Sequence, residues 1–210
     1  RIFKEKRMID YQKIENIYCV GRNFEGHARE LGNKVPSTPL FFQKSNSTTN
    51  FTNTIQIPKN KNIEHELEVV ILIGKEGIPK TPEEAKSFIS GFSIGLDLTD
   101  RVLQTELKKK GLPWFAAKSF KRSAVIDKNF KTECPEEFYL NVNQKLKQRG
   151  NLKDMIFSFE DILLHLTKVV ELKKGDIVFT GTPEGVGPLK SGDQIEMGFI
   201  NHKPTNLTVV

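Results

Sequence analysis

Apolar residues recur along this chain mainly at the spacing of β-strands. The strongest pattern is residues 66–73, Glu-Leu-Glu-Val-Val-Ile-Leu-Ile, an apolar run headed by two glutamates. Residues 14–20, 40–44, 92–98, 177–180 and 194–199 are further strands, and residues 138–142 with Leu146 form a hairpin around Asn143. Residues 45–54, rich in Ser, Thr and Asn, read as a loop. Helical spacing is rarer. A short helix is predicted over 24–32, with Gly32 as its stop, and a second starts at Thr81-Pro82 and runs to Phe88 or Ser90. A third covers 101–110, capped by Thr99 or Asp100, with Leu103 and Leu107 one turn apart as its core face. The last covers 159–170 behind Ser158, with Ile162, Leu163, Leu166, Val169 and Val170 in a wide apolar stripe. Two similar turns, residues 172–176 and 189–193, precede the final strands. Strands outnumber helices and do not alternate with them, which predicts a mixed α+β fold rich in antiparallel sheet and disfavours a doubly wound nucleotide fold.

Composition narrows the classes. At 210 residues the chain can build one sizeable core, so residues 1–210 are read as a single domain. No apolar stretch has the length of a membrane span, and the basic residues 1–7 lead into no signal-peptide core, so a cytoplasmic location is expected. Cys19 and Cys134 lie far apart and form no zinc or disulfide pattern. The net charge of +6 is scattered, and its longest run, Lys108-Lys109-Lys110, falls at a helix end where cations complement the dipole. Nucleic acid and membrane are therefore not expected partners; a small anionic substrate is.

The candidate chemistry starts from the acidic head of the strongest strand. Side chains alternate across a strand, so Glu66 and Glu68 share a face about 6.5 Å apart, while Leu67 and Val69 pack on the other. Asp97 ends the apolar run 91–97. Three carboxylates in such surroundings need pairing, protonation or a cation, and an oxygen-only ligand set favours Mg2+ or Mn2+ over zinc. The alternative is a solvated strand end. His27 and Glu30 stand at i and i+3, where a carboxylate can orient an imidazole and raise its basicity; the alternative is an amphipathic surface helix. Arg101 and Gln104 share a helix face in the same way. Lys118 follows Trp114-Phe115-Ala116-Ala117, a predicted apolar wall. A phosphate loop over residues 181–187 is weak, because no Gly-Lys-Ser/Thr follows.

In order, Val20-Gly21-Arg22-Asn23-Phe24, His65-Glu66-Leu67-Glu68, Leu96-Asp97-Leu98-Thr99, Lys109-Lys110-Gly111-Leu112-Pro113-Trp114, Ala117-Lys118-Ser119-Phe120 and Thr180-Gly181-Thr182-Pro183-Glu184-Gly185 make a set. That set resembles the fumarylacetoacetate hydrolase family over residues 17–200, nearest its short acylpyruvate hydrolase and oxaloacetate decarboxylase branch. The resemblance implies the β-rich fold of that family's C-terminal domain, and Glu66, Glu68 and Asp97 as ligands of Mg2+ or Mn2+. It implies Lys118 at the substrate carboxylate and developing oxyanion, and Arg22, Lys44, Arg101, Gln104 and Thr182 as substrate-binding positions. It further implies His27 and Glu30 on a mobile lid that activates water, and a homodimer. The expected function is divalent-metal-dependent carbon-carbon cleavage of short 2-oxo acids, by acylpyruvate hydrolysis or oxaloacetate decarboxylation, through a metal-stabilised enolate. A keto-enol tautomerase and a catalytically silent metal-binding protein are the alternatives. Phe24, Ser45 and Lys121 depart from the family's usual tyrosine, proline and aspartate, and Ser45 predicts a looser loop.

Overall fold

The run 67–73 becomes the middle of a seven-stranded sheet. The structure, a computed structural model, describes residues 14–30, 32 and 35–210; the basic start 1–7 and Leu31 of the first predicted helix lie outside them. In spatial order the strands are Leu40–Lys44, Ile17–Gly21, Ile177–Phe179, Leu67–Ile73, Ile89–Asp97, Ala124–Ile126 and Thr49–Asn50. Within this sheet, among the described residues, only the pairings of Ile17–Gly21 with Ile177–Phe179 and of Thr49–Asn50 with Ala124–Ile126 are parallel. All seven residues of Leu67–Ile73 are buried, as a strand covered on both faces demands.

Side-chain alternation decides what each face carries. Leu67, Val69, Ile94 and Leu96 pack with Phe138, Leu140, Ile195, Met197 and Leu207 of a second, five-stranded sheet. Further along that face, Ile71, Ile73, Tyr18, Val20 and Val178 pack against helix α5, Phe159–Leu166, and Ala85 of helix α2, Pro82–Phe88. Ile17, Cys19, Val70, Leu72, Ala124, Ile126, Ile177 and Phe179 form a smaller cluster on the opposite face. Asp97 pairs with Ala124 and Glu68 lies two residues before Val70, so both acids belong to that smaller face.

Several predicted boundaries move. Glu66 is not in the strand: it sits at the step where the chain leaves Ile63–His65, in a three-stranded sheet, and enters Leu67–Ile73. The Asp97 amide still donates to Glu66 O at 2.9 Å, which continues the register and keeps Glu66 beside Asp97. The predicted loop 45–54 holds a 3-10 turn, Asn46–Thr48, and the short strand Thr49–Asn50. Ser45 caps the turn, accepting from the Ser47 amide, so the segment is fixed rather than loose. Helix α5 ends at Leu166, where the Thr167 hydroxyl bonds back to Leu163 O; Val169 falls beyond it and is 80% exposed, outside the predicted stripe. Helix α3, Arg101–Lys109, buries Gln104, while Leu103 and Leu107 are only half-buried. Its inner face is turned to a polar site instead of a core. Among the described residues no helix is long and apolar enough to cross a membrane.

Candidate metal centre and active site

Glu66, Glu68 and Asp97 come together on the smaller face, buried, each offering one oxygen within 4.8 Å of the others. That span matches oxygens arranged around one hard divalent ion at 2.0–2.6 Å. Their counter-charges are unequal. Lys118, on the short helix α4, Phe115–Lys118, is buried; its ammonium donates to Glu66 Oε2 at 2.7 Å, Asp97 Oδ2 at 2.6 Å and Thr99 Oγ1 at 2.7 Å. Arg101 donates to Glu66 Oε1 at 2.5 Å and to Glu64 Oε2 at 2.7 Å. Lys44 Nζ lies 2.7 Å from Asp97 Oδ1, but its three N–H bonds go to Leu98 O, Lys118 O and Ser123 Oγ. Asp97 Oδ1 is thus buried beside a charge with no hydrogen bond of its own. Glu68 has no cation within ion-pair reach among the described residues and accepts only the Gly181 amide, at 2.7 Å.

The protonation preferences follow this imbalance. Burial alone would raise the Glu66 pKa, but Lys118 and Arg101 outweigh it and hold the carboxyl well below its usual range. Burial, reinforced by the charges of Asp97 and Glu66, pushes Glu68 well above it. Burial opposes the charge on Lys118, yet Asp97 and Glu66 overcome it and raise its pKa. One carboxylate without a cation and one oxygen without a hydrogen bond are what a divalent ion would satisfy, so the residues fit the expected metal.

The site is closed from the other side by helix α1, Glu25–Glu30, and the loop 180–186. His27 is 4% exposed and its Nδ1 lies 3.4 Å from Glu30 Oε2, so the pair is formed, although loosely. Glu30 also accepts from the Gly185 amide at 3.1 Å, which docks the helix on the loop. Burial lowers the His27 pKa, against the opposing charge of Glu66 and the Glu30 hydrogen bond. Asn23 anchors the entry to the helix. Its amide donates to Thr180 O and Phe157 O, and its oxygen accepts from the Phe157 amide. Gly181 has φ +101°, and a Cβ there would stand 2.6 Å from Asn23 Cβ, so only glycine lets the loop turn its amide to Glu68.

A cavity between these elements is walled by His27, Glu66, Glu68, Lys118, Arg101, Gln104, Thr182 and Arg22, joined by Phe42, Trp114 and Lys108. The structure therefore brings most of the sequence-predicted residues to one space. Arg101 and Gln104 are bonded to each other at 2.7 Å. Lys44 is placed differently: it sits behind Asp97, off the cavity wall, with all its polar contacts to protein groups. The predicted apolar wall is partial, since Trp114 lines the cavity but Phe115 is 59% exposed. Phe24 is buried edge-on against Phe138, and Lys121 is exposed.

Sequence reasoning missed three contributors. Gln148, in the exposed-looking strand Lys145–Asn151, is buried: it donates to Thr182 Oγ1 and Pro183 O and accepts from the Leu67 amide, while its Oε1 lies 2.8 Å from His65 Nδ1. Thr99 joins Lys118 to Glu66. Lys108 belongs to the lysine run read as a helix-end feature, although its i+7 spacing from Arg101 carried a signal.

The fumarylacetoacetate (FAA) hydrolase C-terminal family matches residues 16–210. The chain is 40% identical over 192 residues to the mitochondrial oxaloacetate tautomerase FAHD1 of Homo sapiens, covering 88% of this chain and 87% of that protein. It is 38% identical over 191 residues to a mitochondrial oxaloacetate decarboxylase of Dictyostelium discoideum, covering 87% and 88%. Among solved structures, the fumarylpyruvate hydrolase of Pseudomonas aeruginosa in complex with Mn2+ and pyruvate superposes with a TM-score of 0.87 at 33% identity, over 94% of this chain and 90% of that one. Fold and sequence agree, and the chain belongs to the fumarylacetoacetate hydrolase family.

Proposed function

We propose that this protein is a Mg2+- or Mn2+-dependent enzyme that cleaves a carbon-carbon bond in short 2-oxo acids, by acylpyruvate hydrolysis, oxaloacetate decarboxylation or both. The observation that carries this reading is the buried triad, with Glu68 lacking a cation and Asp97 Oδ1 lacking a hydrogen bond, two of whose members, Glu66 and Glu68, line a cation-rich cavity. A divalent ion held by Glu66, Glu68 and Asp97 would supply Lewis acidity toward the oxygens of a 2-oxo acid.

The chain's own residues do the rest. Arg101 and Gln104 offer donors to the substrate's carboxylate, and Thr182, held by Gln148, offers a hydroxyl. Lys118 sets positive charge beside the oxygen on which an enolate develops. For an acylpyruvate, neutral His27, oriented by Glu30, takes a proton from water; the hydroxide adds to the distal carbonyl. The bond to the methylene carbon then breaks, its electron pair forms the pyruvate enolate, a carboxylic acid leaves, and the enolate carbon takes up the proton held by His27 to give pyruvate. For oxaloacetate, carbon dioxide leaves with no water attack, and the enolate takes up a proton.

A second reading, keto-enol tautomerisation of oxaloacetate, is favoured by the 40% identity to a protein of that name. It moves a proton between carbon and oxygen and breaks no carbon-carbon bond. One panel separates the readings: acetylpyruvate and oxaloacetate are supplied with Mn2+ or Mg2+, and enol absorbance and pyruvate release are followed together. Cleavage releases pyruvate in step with substrate loss. Absorbance change with no pyruvate above the metal-only blank would replace the first reading by the second.

A further inference from the structure

The cations around the cavity are not equally matched. Arg101 is neutralised by Glu64 and Glu66, Lys118 by Glu66 and Asp97, and Lys44 stands against Asp97. Lys108 and Arg22 also line the cavity, yet neither has an acidic partner among the described residues. Arg22 is held at the cavity by a left-handed backbone, φ 61°, immediately before Asn23, whose three hydrogen bonds fix the turn.

Lys108 is directed inward by the geometry of α3. Arg101, Gln104 and Lys108 follow at i, i+3 and i+7 on one helix face, so Lys108 lies two turns, about 10 Å of helix rise, beyond the residue that grips Glu66. Side chains on a helix lean toward its N-terminus, which points the Lys108 stem back over the cavity. Its ammonium rests 4.8 Å from the centre of the Trp114 ring, and Trp114 in turn packs on Phe42, 5.9 Å between ring centres. The charge is thus positioned by an aromatic shelf without being cancelled by an acid. Burial, with the repulsion of Arg101, Arg22 and Lys118, pushes the Lys108 pKa down to about 8. A site that crowds cations in this way stabilises an anion placed among them.

We propose that Lys108, with Arg22, is an anion clamp for a second carboxylate on the substrate, so that the enzyme prefers 2-oxo dicarboxylates to 2-oxo acids with an uncharged tail. This inference rests on the reading of the site as one for 2-oxo acids. The head of the substrate is held at the Arg101 end and the tail carboxylate meets Lys108. Lys108 is then a specificity-determining residue, with no part in bond breaking.

The test is a ratio. kcat/KM is measured for oxaloacetate and for acetylpyruvate, with Mn2+, in the wild-type protein, Lys108→Met and Lys108→Arg. In Lys108→Met the oxaloacetate-to-acetylpyruvate ratio is expected to fall about 10- to 100-fold, the effect of losing one charge-assisted hydrogen bond. Lys108→Arg should restore most of it. A purely structural role would lower both values alike, and an unchanged ratio in Lys108→Met overturns the clamp. If the wild-type protein turns over neither compound, the reading of the reaction fails separately. The same ratio taken from calorimetric affinities for oxaloacetate and pyruvate then decides the clamp.

Discussion

His27 shows how much one side chain's role depends on its surroundings. As a bare sequence feature, a histidine three residues before a glutamate fits a surface helix as well as a catalytic pair. Burial to 4% exposure, contact with Glu30 and a place on the cavity wall are what support the proposed role of a base. A general base must be unprotonated, and burial holds the His27 pKa below the ordinary imidazole value of about 6.5. Hydrolysis of acetylpyruvate should therefore rise with pH along a limb lying below pH 6.5 and stay flat between about pH 7 and 8 on this group's account. His27→Ala should lower kcat by at least about 100-fold and leave Mn2+ binding, read by titration calorimetry, unchanged. A limb centred above 6.5, or full activity in His27→Ala, would remove His27 from the mechanism. Glu66 with Glu68, His27 with Glu30 and Arg101 with Gln104 were legible as pairs because each follows from local spacing; Asp97 was marked by the apolar run it ends, and the roles of all of them came from the family resemblance. Gln148 and Thr99 were not legible. Their partners lie 34 to 83 and 19 to 33 residues away, and a glutamine in an otherwise exposed strand carries no mark of burial.

At the scale of elements, capping chemistry was the readable part. Thr81 with Pro82, Asp100 and Ser158 each start a helix where their side chains accept from the backbone, and Asn143 with Gln144, both at positive φ, turns the hairpin. The step at Glu66 was hidden, because a single residue separates Ile63–His65 in one sheet from Leu67–Ile73 in the other and no turn residue marks the change. So was the link between α1 and the loop beyond Thr182, which joins elements over 150 residues apart in sequence. That link gives a further expectation. Gly185 has φ +92°, and a Cβ there would stand 2.0 Å from Lys147 O, so Gly185→Ala must displace the loop. The substitution should cost at least about 2 kcal/mol in urea unfolding and lower acetylpyruvate hydrolysis further by undocking Glu30. Wild-type stability and kcat in this variant would contradict the described docking.

Across the whole molecule, the seven-stranded sheet separates its tasks by face. One side packs against the second sheet and α5, which gives the fold its large core; the other has a smaller apolar cluster, and Glu68 and Asp97 stand on that side. Strand alternation lets the chain set carboxylates among buried residues without placing them in the main core, and α3, α4 and α1 bring Arg101, Lys118 and His27 to them. The proposed function requires this triad to hold a divalent ion. The direct test is turnover of acetylpyruvate and oxaloacetate by the wild-type protein before EDTA treatment, after it, and after Mn2+ is restored, beside Glu68→Ala. Activity should disappear with EDTA, return with Mn2+ and be absent from Glu68→Ala. Turnover that persists unchanged after EDTA, or in Glu68→Ala, would contradict this requirement.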